Sequence, residues 1–392
     1  KREAANFNCS FLNVHTIHDV VDAFWLLLNG CGVGFRPQAG VLNGFMIPHE
    51  IEIVRSNRTS KGRPESTESY ADGVWTIQLG DSGEAWAKSI GKILAGKYPA
   101  GKLVLDFTEV RPSGSRLTGY GWISAGDSVI AEEYPKIARI LNRRAGRLLT
   151  EIDILDIMNH LGVIQTGRRG AEIALFDYGL PGWEAFATAK RDYWTTGNSQ
   201  RSQSNNSLVF WEHPGATDIR RLLSIMVESG GSEPGIINGY AAKRRAPYYA
   251  GNNPCAEILL SDRGFCNLVE NNVAAYDNLR DLHRAHYLIA RANYRQTMVN
   301  LDDGILQRSW HENNEFLRLC GVGLTGLTMR PDLLNPSDLT SLRRVATHGA
   351  HSMAMDLGTQ LPKNITTVKP SGTLSKIMDC TEGAHRPLGQ YI

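Results

Sequence analysis

The sequence lacks the features that mark several large classes of protein. Its longest apolar run, residues 23–28, is far too short to cross a bilayer, and its first residues lack the apolar core of a signal peptide. No basic tract or acidic tail is present, and the formal net charge over 392 residues is only +2. We therefore expect a cytoplasmic protein with no membrane segment and no nucleic-acid partner.

Cysteine is scarce and scattered. Six cysteines stand at positions 9, 31, 255, 266, 320 and 380, which is not the dense pattern of a small disulfide-stapled domain. No Cys-x-x-Cys pair occurs, and the three His-x-x-His pairs have no visible third ligand. Because a structural metal ion usually needs four ligands, we predict no metal site.

The composition that is present suits a soluble globular enzyme, with 42% hydrophobic and 21% charged residues. Strands are predicted at residues 9–14, 102–107, 171–176, 207–211 and 365–369. Helices are predicted at residues 18–28, 84–94, 130–142, 151–161, 183–190, 216–228, 282–299, 313–318 and 339–357. Alternation of strands with helices of this length favours an α/β fold with parallel strand pairing.

Three irregular stretches complete this prediction. Residues 54–73 are polar, and residues 111–127 are rich in glycine and serine, so both are predicted as loops. The glycine-rich stretch 30–35 follows a helix, whereas a dinucleotide-binding loop precedes one. It therefore predicts close backbone packing at the start of a strand.

The stretch 252–260 has the most unusual chemistry. Two asparagines and Pro254 disfavour a helix before Cys255, and residues 258–260 are apolar. This predicts an ordered loop that enters the core and buries the Cys255 thiol. Glu257 two residues later and Cys266 beyond it suggest redox or radical chemistry. The alternative is a structural cysteine beside a surface glutamate, because cysteine is most often a small core residue.

Residues 369–375 form a second candidate site. A predicted strand ends at Pro370, and the following serines, threonine and glycine offer hydroxyls and backbone amides. A helix beginning there would favour a phosphate at its N-terminus. A simple capped turn is an equally acceptable interpretation.

Several stretches, taken together and in this order, resemble the catalytic subunits of ribonucleotide reductases. The resemblance is strongest to the adenosylcobalamin-dependent (class II) ribonucleoside-triphosphate reductases, and it extends over residues 8–389. The matching stretches are 8–9, 32–35, 105–112, 168–172, 205–207, 233–236, 252–258, 266–268, 367–373 and 382–385. The Cys-x-Glu stretch with its two accessory cysteines is the most specific part.

The resemblance implies a ten-stranded α/β barrel built from two antiparallel halves, each of five parallel strands. A central finger loop would carry Cys255 at its tip. It also implies one catalytic barrel domain over residues 1–392, with neither an N-terminal ATP-binding regulatory domain nor the C-terminal cysteine tail. Residues 36–102 look too short for the insertion of the monomeric branch, so we expect a homodimer, with helices 84–94 and 130–142 as candidate interface elements.

The resemblance also implies a chemistry, the reduction of ribonucleotides to 2′-deoxyribonucleotides. Cys255 would become a thiyl radical and take the 3′ hydrogen, Glu257 would act as the base, and Asn253 would bind the ribose hydroxyls. Cys9 and Cys266 would supply the electrons and end as a disulfide. The implied substrate phosphate site consists of Pro370, Ser371, Gly372, Thr373, Leu374 and Ser375. The implied effector loop consists of Arg168, Arg169, Gly170 and Ala171.

Cofactor and partners follow from the same resemblance. Adenosylcobalamin would generate the radical; the alternative is a ferritin-like metal subunit that supplies it from outside. The other expected partners are dNTP or ATP effectors and a thioredoxin-like or other dithiol reductant. A rival hypothesis is a non-catalytic nucleotide-binding relative. Such a protein would be expected to lack one of Cys9, Cys255, Cys266 or Glu257, and all four are present.

Overall fold

The computed structural model describes residues 3–117, 123–164, 170–333, 335–387 and 389. The strands are β1 (Cys9–Val14), β2 (Gly32–Pro37), β3 (Glu50–Val54), β4 (Thr67–Ala71), β5 (Val74–Gln78), β6 (Lys102–Asp106), β7 (Glu172–Asp177), β8 (Ser204–Phe210), β9 (Gly235–Asn238), β10 (Gly251–Asn252), β11 (Leu259–Leu260), β12 (Gly264–Cys266), β13 (Leu268–Asn272) and β14 (Gly321–Thr325). The helices are α1 (Ile17–Leu28), α2 (Gly83–Ala95), α3 (Gly126–Arg143), α4 (Glu151–Val163), α5 (Trp183–Ala187), α6 (Ala216–Ser229), α7 (Gly239–Arg245), α8 (Leu279–Gln296), α9 (Arg308–Leu317), α10 (Pro336–Asp356) and α11 (Thr373–Ile377).

A six-stranded sheet forms the centre of the first two thirds of the chain. Its order is β12-β1-β2-β7-β8-β9, in which β1, β2, β7, β8 and β9 run parallel and β12 pairs antiparallel with β1. Helices lie between successive parallel strands, as the crossover connection of a parallel pair requires. The predicted α/β fold with parallel pairing is therefore confirmed.

A second strand array runs in the opposite direction. Only Asn267 separates β12 from β13, and β13 pairs parallel with β14. Within β14, Val322 also makes a single parallel bridge to Thr366. The strand predicted at 365–369 is therefore reduced to this one bridge. Over the described residues the sheets remain separate, and they do not close into a ten-stranded barrel.

A four-stranded sheet of order β3-β6-β5-β4 lies between β2 and α3 in the chain. It corrects the loop predicted at 54–73, because β4 occupies the end of that stretch. Four of the five β4 side chains are exposed, so no apolar alternation signals the strand. The turn from β4 to β5 is Asp72-Gly73, with φ of 50° and 74°, a two-residue hairpin signal that the sequence analysis missed.

The helices begin where side chains satisfy their first amides. Thr16 and Thr150 each cap a helix through a reciprocal bond with the Asp three residues later, opening α1 and α4. The apolar faces of α2 and α3 are buried within this chain. These faces therefore give no support to the predicted role of the two helices in a dimer interface. Within the described residues, no helix has the length and apolar character needed to span a membrane.

The central sheet packs on both faces. Along β7, Ala174 and Phe176 join the large core between the sheet and the helices, whereas Ile173 and Leu175 point to the opposite face. That opposite face also holds Ile258 from the stretch between β10 and β11. The apolar arm of the loop that carries Cys255 is thus buried against the sheet, as the sequence predicts.

Candidate active site

The loop that carries Cys255 is a closed hairpin. We call residues 253–258 the finger loop; β10 and β11 pair antiparallel on either side of it, with Asn252 opposite Leu259. Inside the hairpin, Asn252 Nδ2 donates to the carbonyl oxygens of Ala256 at 3.0 Å and Ile258 at 3.3 Å. Asn252 Oδ1 accepts from the Tyr249 hydroxyl at 2.6 Å. These bonds fix the loop through a fully buried amide side chain.

Two glycines of β2 make room for the finger loop. A β-carbon on Gly34 would lie 2.0 Å from the carbonyl oxygen of Asn252, and one on Gly32 would lie 3.0 Å from Pro254 Cγ and 3.2 Å from Cys9 Sγ. The predicted close backbone packing of the glycine-rich stretch is therefore confirmed. Pro254 is held from the other side, because Asn205 Nδ2 donates to its carbonyl oxygen at 3.1 Å.

The Cys255 side chain is exposed, which corrects the prediction of a buried thiol. Pro254 and Cys255 are the two central residues of a turn, in which Pro254 is buried against Gly32 and Cys255 is exposed. Ala256 then turns the chain back with a φ of 63°, and its amide donates to the Asn253 carbonyl oxygen at 2.8 Å. The tip of the finger loop thus presents its thiol outward.

Cys9 and Cys266 lie directly opposite each other in the antiparallel pair of β1 and β12. Residues in such positions have Cα atoms about 4.5–5.5 Å apart, within the range of about 4.4–6.8 Å that a disulfide requires. Both are thiols in the structure, with Cys266 fully buried and Cys9 partly exposed. The pKa of Cys266 is raised well above its ordinary value. Burial is the largest cause, and contact with the Cys9 thiol is the next largest. The pair is placed to be oxidised without rearrangement of the sheet.

Asn253 joins this thiol pair to the carboxylate of Glu257. Asn253 Nδ2 donates to Glu257 Oε2 at 2.7 Å and lies 4.0 Å from Cys266 Sγ. Burial raises the pKa of Glu257, and the Asn253 hydrogen bond and the nearby Lys369 oppose that increase. Glu257 Oε1 is buried and accepts no hydrogen bond from the described residues. A buried acceptor of this kind can take a proton from a hydroxyl group placed against it.

The predicted phosphate site forms a tight turn followed by a short helix. The amide of Gly372 donates to the Pro370 carbonyl oxygen at 3.0 Å, and α11 begins at Thr373. Two of the predicted hydroxyls are used internally, because Ser371 Oγ donates to Glu270 Oε2 at 2.8 Å and Ser375 Oγ donates to the Gly372 carbonyl oxygen at 2.6 Å. Thr373 is exposed, and Leu374 is partly exposed.

Two charged residues beside this turn were missed by the sequence analysis. Lys369 Nζ lies 3.0 Å from Glu270 Oε1, a contact close in distance but not aligned as a hydrogen bond. Lys369 lies within the stretch 367–373 that resembles the family, whereas Glu270 lies outside every such stretch. The strand that carries Glu270 has the sequence Leu-Val-Glu-Asn-Asn, so no apolar pattern marks its carboxylate as buried.

The predicted effector loop is described only at its end. Arg168 and Arg169 lie outside the described residues. The carbonyl oxygen of Gly170 accepts from Gln203 Nε2 at 2.7 Å, and that of Ala171 accepts from the Val33 amide at 2.9 Å. The Ala171 carbonyl oxygen is also 3.3 Å from where a β-carbon on Gly32 would lie. The end of this loop is therefore next to the Cys9 side of the site.

Comparisons with known proteins give a consistent result. No protein-family model matches the chain. It is 29% identical over 360 residues to an adenosylcobalamin-dependent ribonucleoside-triphosphate reductase of Lacticaseibacillus paracasei, which covers 80% of this chain and 47% of the relative. It is 26% identical to the protein of the same name from Euglena gracilis, over 99% of this chain and 52% of the relative. The chain thus spans about half the length of these relatives.

A solved structure supports the fold. The fold superposes on a crystal structure of a B12-dependent (class II) ribonucleotide reductase with a TM-score of 0.73 and 20% sequence identity, covering 96% of this chain and 62% of that one. The sequence relatives carry the name that the resemblance implies, and the structural neighbour supports the fold. The resemblance of this chain to ribonucleotide reductase catalytic subunits of the adenosylcobalamin-dependent type is therefore confirmed over most of its length.

Proposed function

We propose that this protein is the catalytic part of an adenosylcobalamin-dependent ribonucleotide reductase, which converts ribonucleotides to 2′-deoxyribonucleotides. The observation that carries the proposal is the site around Asn253. One amide side chain contacts a buried carboxylate that has a vacant oxygen and lies beside a cross-strand thiol pair. The names of the similar proteins supply the cofactor and the substrate class.

The residue roles in this proposal are those that the resemblance implies. Cys255, as a thiyl radical, takes the 3′ hydrogen of the ribose, and Glu257 accepts the proton of the 3′ hydroxyl. Asn253 orients Glu257 and offers its amide to the ribose hydroxyls. The C2′–O bond breaks, and the oxygen leaves as water. Cys9 and Cys266 together give two electrons and two protons, one proton to the departing 2′ oxygen and one to C2′, and end as a disulfide. The 3′ hydrogen then returns from Cys255, and Glu257 returns its proton to the 3′ oxygen. A thioredoxin-like or other dithiol then reduces the disulfide.

Adenosylcobalamin supplies the radical when it is bound. The exposed position of Cys255 fits this cofactor, because its thiol can be reached from outside the chain without opening the finger loop. The similar proteins are named for this cofactor, which favours it over a ferritin-like metal subunit. Residues 370–375 would receive the substrate phosphates, with Thr373 presented to solvent.

The finer architecture and the regulation belong to the same proposal. We propose that the two opposed strand arrays are parts of a ten-stranded barrel within one catalytic domain. The effector loop at 168–171 would pass the identity of a bound dNTP or ATP to the substrate site, because its end contacts β2 beside Cys9. A homodimer would complete the effector site.

A turnover assay tests this function. The full-length protein is incubated with adenosylcobalamin, a dithiol and each ribonucleoside di- or triphosphate, and deoxynucleotides are measured. We expect product together with a cob(II)alamin signal in the EPR spectrum. Product only after addition of a ferritin-like subunit would replace the cofactor assignment and leave the residue roles intact. Nucleotide binding without any product under either condition would support the non-catalytic alternative.

A further inference from the structure

The side chain of Glu270, on β13, is fully buried yet holds two polar partners from the segment that leads into the phosphate turn. Ser371 Oγ donates to its Oε2 at 2.8 Å, and Lys369 Nζ lies 3.0 Å from its Oε1. Burying a carboxylate is costly unless it is paired. This carboxylate contacts Lys369 and Ser371, the residues immediately before and after Pro370. It therefore holds both sides of the start of the phosphate turn, and we call this arrangement the clamp.

Ser371 is held in a conformation that its side chain does not favour. Its φ is 72°, in the left-handed region that usually takes glycine, and a residue in that region persists only when its surroundings fix it. The Ser371 hydroxyl also accepts from Thr325 Oγ1 at 3.2 Å. Glu270 and Thr325 thus hold the strained residue from two neighbouring strands, β13 and β14.

The segment that carries Lys369 contacts the finger loop, because Thr367 Oγ1 donates to the Glu257 carbonyl oxygen at 3.5 Å. The Lys369 side chain crosses the surface of β14, with Cβ 3.2 Å from where a β-carbon on Gly323 would lie, and is only 15% exposed. The charge of Lys369 lowers the pKa of Glu257, whereas the charge of Glu270 raises it. The ion pair therefore lies within electrostatic reach of the carboxylate assigned as the base.

We propose that Glu270 and Lys369 are positioning residues that couple the phosphate turn to the carboxylate of Glu257. Glu270 fixes Ser371 and the ammonium group of Lys369, and Lys369 carries the charge that acts on Glu257. The inference deepens the proposed function and rests on it for the role of Glu257. Neither residue needs to contact the reacting atoms.

The pH dependence of kcat/KM tests the coupling. The groups facing Glu257 are Asn253, Cys266, Lys369 and Glu270, and Cys266 stays neutral because its pKa is raised well above its ordinary value. Lys369→Met removes a positive charge that favours ionised Glu257, so the pKa of Glu257 and the acidic limb of the kcat/KM profile should move to higher pH. Glu270→Gln removes a negative charge that disfavours ionised Glu257, so the same limb should move to lower pH. Each shift should be roughly half a pH unit or more, as expected for a nearby charge.

Matched variants control this experiment. Lys376→Met removes an exposed lysine of the same segment, whose partner Glu382 lies 3.2 Å away, and should leave the profile unchanged. Lys369→Arg keeps the positive charge, so the acidic limb of its kcat/KM profile should stay where it is in the wild type. A purely structural role would lower activity in both variants without moving the limb in opposite directions. Identical limbs in Lys369→Met, Glu270→Gln and wild type would overturn the proposal.

A second measurement does not depend on activity. Hydrogen exchange in residues 370–378 of the nucleotide-free protein should become roughly fivefold faster in Glu270→Ala, the change that loss of an ordinary hydrogen bond produces. If Glu270→Ala does not fold, Ser371→Ala removes the hydroxyl that bonds to Glu270 and Thr325, and it should change the exchange in the same direction. Unchanged exchange in the folded variants would overturn the clamp. Absence of reductase activity in the wild type would count against the proposed function and leave the exchange result standing.

Discussion

The side-chain amide of Asn253 bonds at both of its ends within the finger loop. Its nitrogen donates to Glu257 Oε2 at 2.7 Å, and its oxygen accepts from the Ile258 amide at 2.9 Å. The donated bond favours the ionised form of Glu257, whose pKa burial otherwise raises. One asparagine therefore sets both the position and the proton affinity of the carboxylate.

The first prediction concerns this bond. Asn253→Ala removes a bond to the charged form of Glu257, so the pKa of Glu257 should rise. Because a base acts only when ionised, the acidic limb of the kcat/KM profile should move to higher pH. Glu257→Gln should reduce kcat at every pH by roughly 10²-fold or more. Asn205→Ala, which loses the bond to the Pro254 carbonyl oxygen and none to Glu257, serves as the control and should keep the wild-type limb.

The second prediction concerns the thiols. Cys255→Ala should abolish deoxynucleotide formation and leave nucleotide affinity within about twofold, because the thiol is exposed and the backbone of the finger loop is held by Asn252. Cys266→Ser should block turnover supported by a dithiol. After one turnover without reductant, peptide mapping of the wild type should show a Cys9–Cys266 disulfide. Cys320→Ala, a buried cysteine in a separate core, should remain active. Normal multiple turnover in Cys266→Ser would contradict the assignment.

The third prediction concerns the close packing at Gly34. In Gly34→Ala the new β-carbon meets the Asn252 carbonyl oxygen at 2.0 Å, so the hairpin that carries the finger loop must shift. Overpacking of this kind typically lowers the free energy of unfolding by about 1–3 kcal/mol. Turnover by the protein that remains folded should also fall, because the shift displaces Asn253 and Cys255. Gly231→Ala has nothing within 4 Å of its new β-carbon and should match the wild type in both denaturant unfolding and turnover.

The fourth prediction concerns stability against pH. Burial raises the pKa of Glu172 to about 8 and that of Asp22 to about 7. Both groups hold a proton more tightly when folded, so the free energy of unfolding should fall as the pH rises from about 5 to 8, by at most about 1.4 kcal/mol per pH unit for each group. Denaturant unfolding of Glu172→Gln and of Asp22→Asn should each show a flatter slope. Glu184→Gln, an exposed site, should keep the wild-type slope, and a slope equal to wild type in both buried variants would contradict the prediction.

Sequence reasoning reached the residues whose chemistry is local and unusual. Cys255 and Glu257 stand two apart in a stretch that disfavours a helix, and the resemblance added Cys9, which the fold brings opposite Cys266. Exposure of the Cys255 thiol could not be predicted, because it depends on the packing of Pro254 against Gly32.

Other errors have similar physical causes. Glu270 was missed because its partners are more than ninety residues away, and neither residue type nor spacing reveals such a contact. The strand β4 was missed because its side chains are mostly exposed and carry no apolar alternation.

The pairing of β1 with β12 has a consequence for the protein as a physical object. Cys9 lies near the beginning of the chain and Cys266 beyond its middle, so a bond between them closes a very long loop. Closing such a loop restricts the unfolded chain and stabilises the fold by roughly 5–6 kcal/mol in the chain-entropy model. Each proposed catalytic cycle would then pass through two forms of the protein, a reduced form with a lower melting temperature and an oxidised form with a higher one. In the proposed cycle, the fraction of the protein that melts at the higher temperature would equal the fraction that has turned over and still awaits reductant.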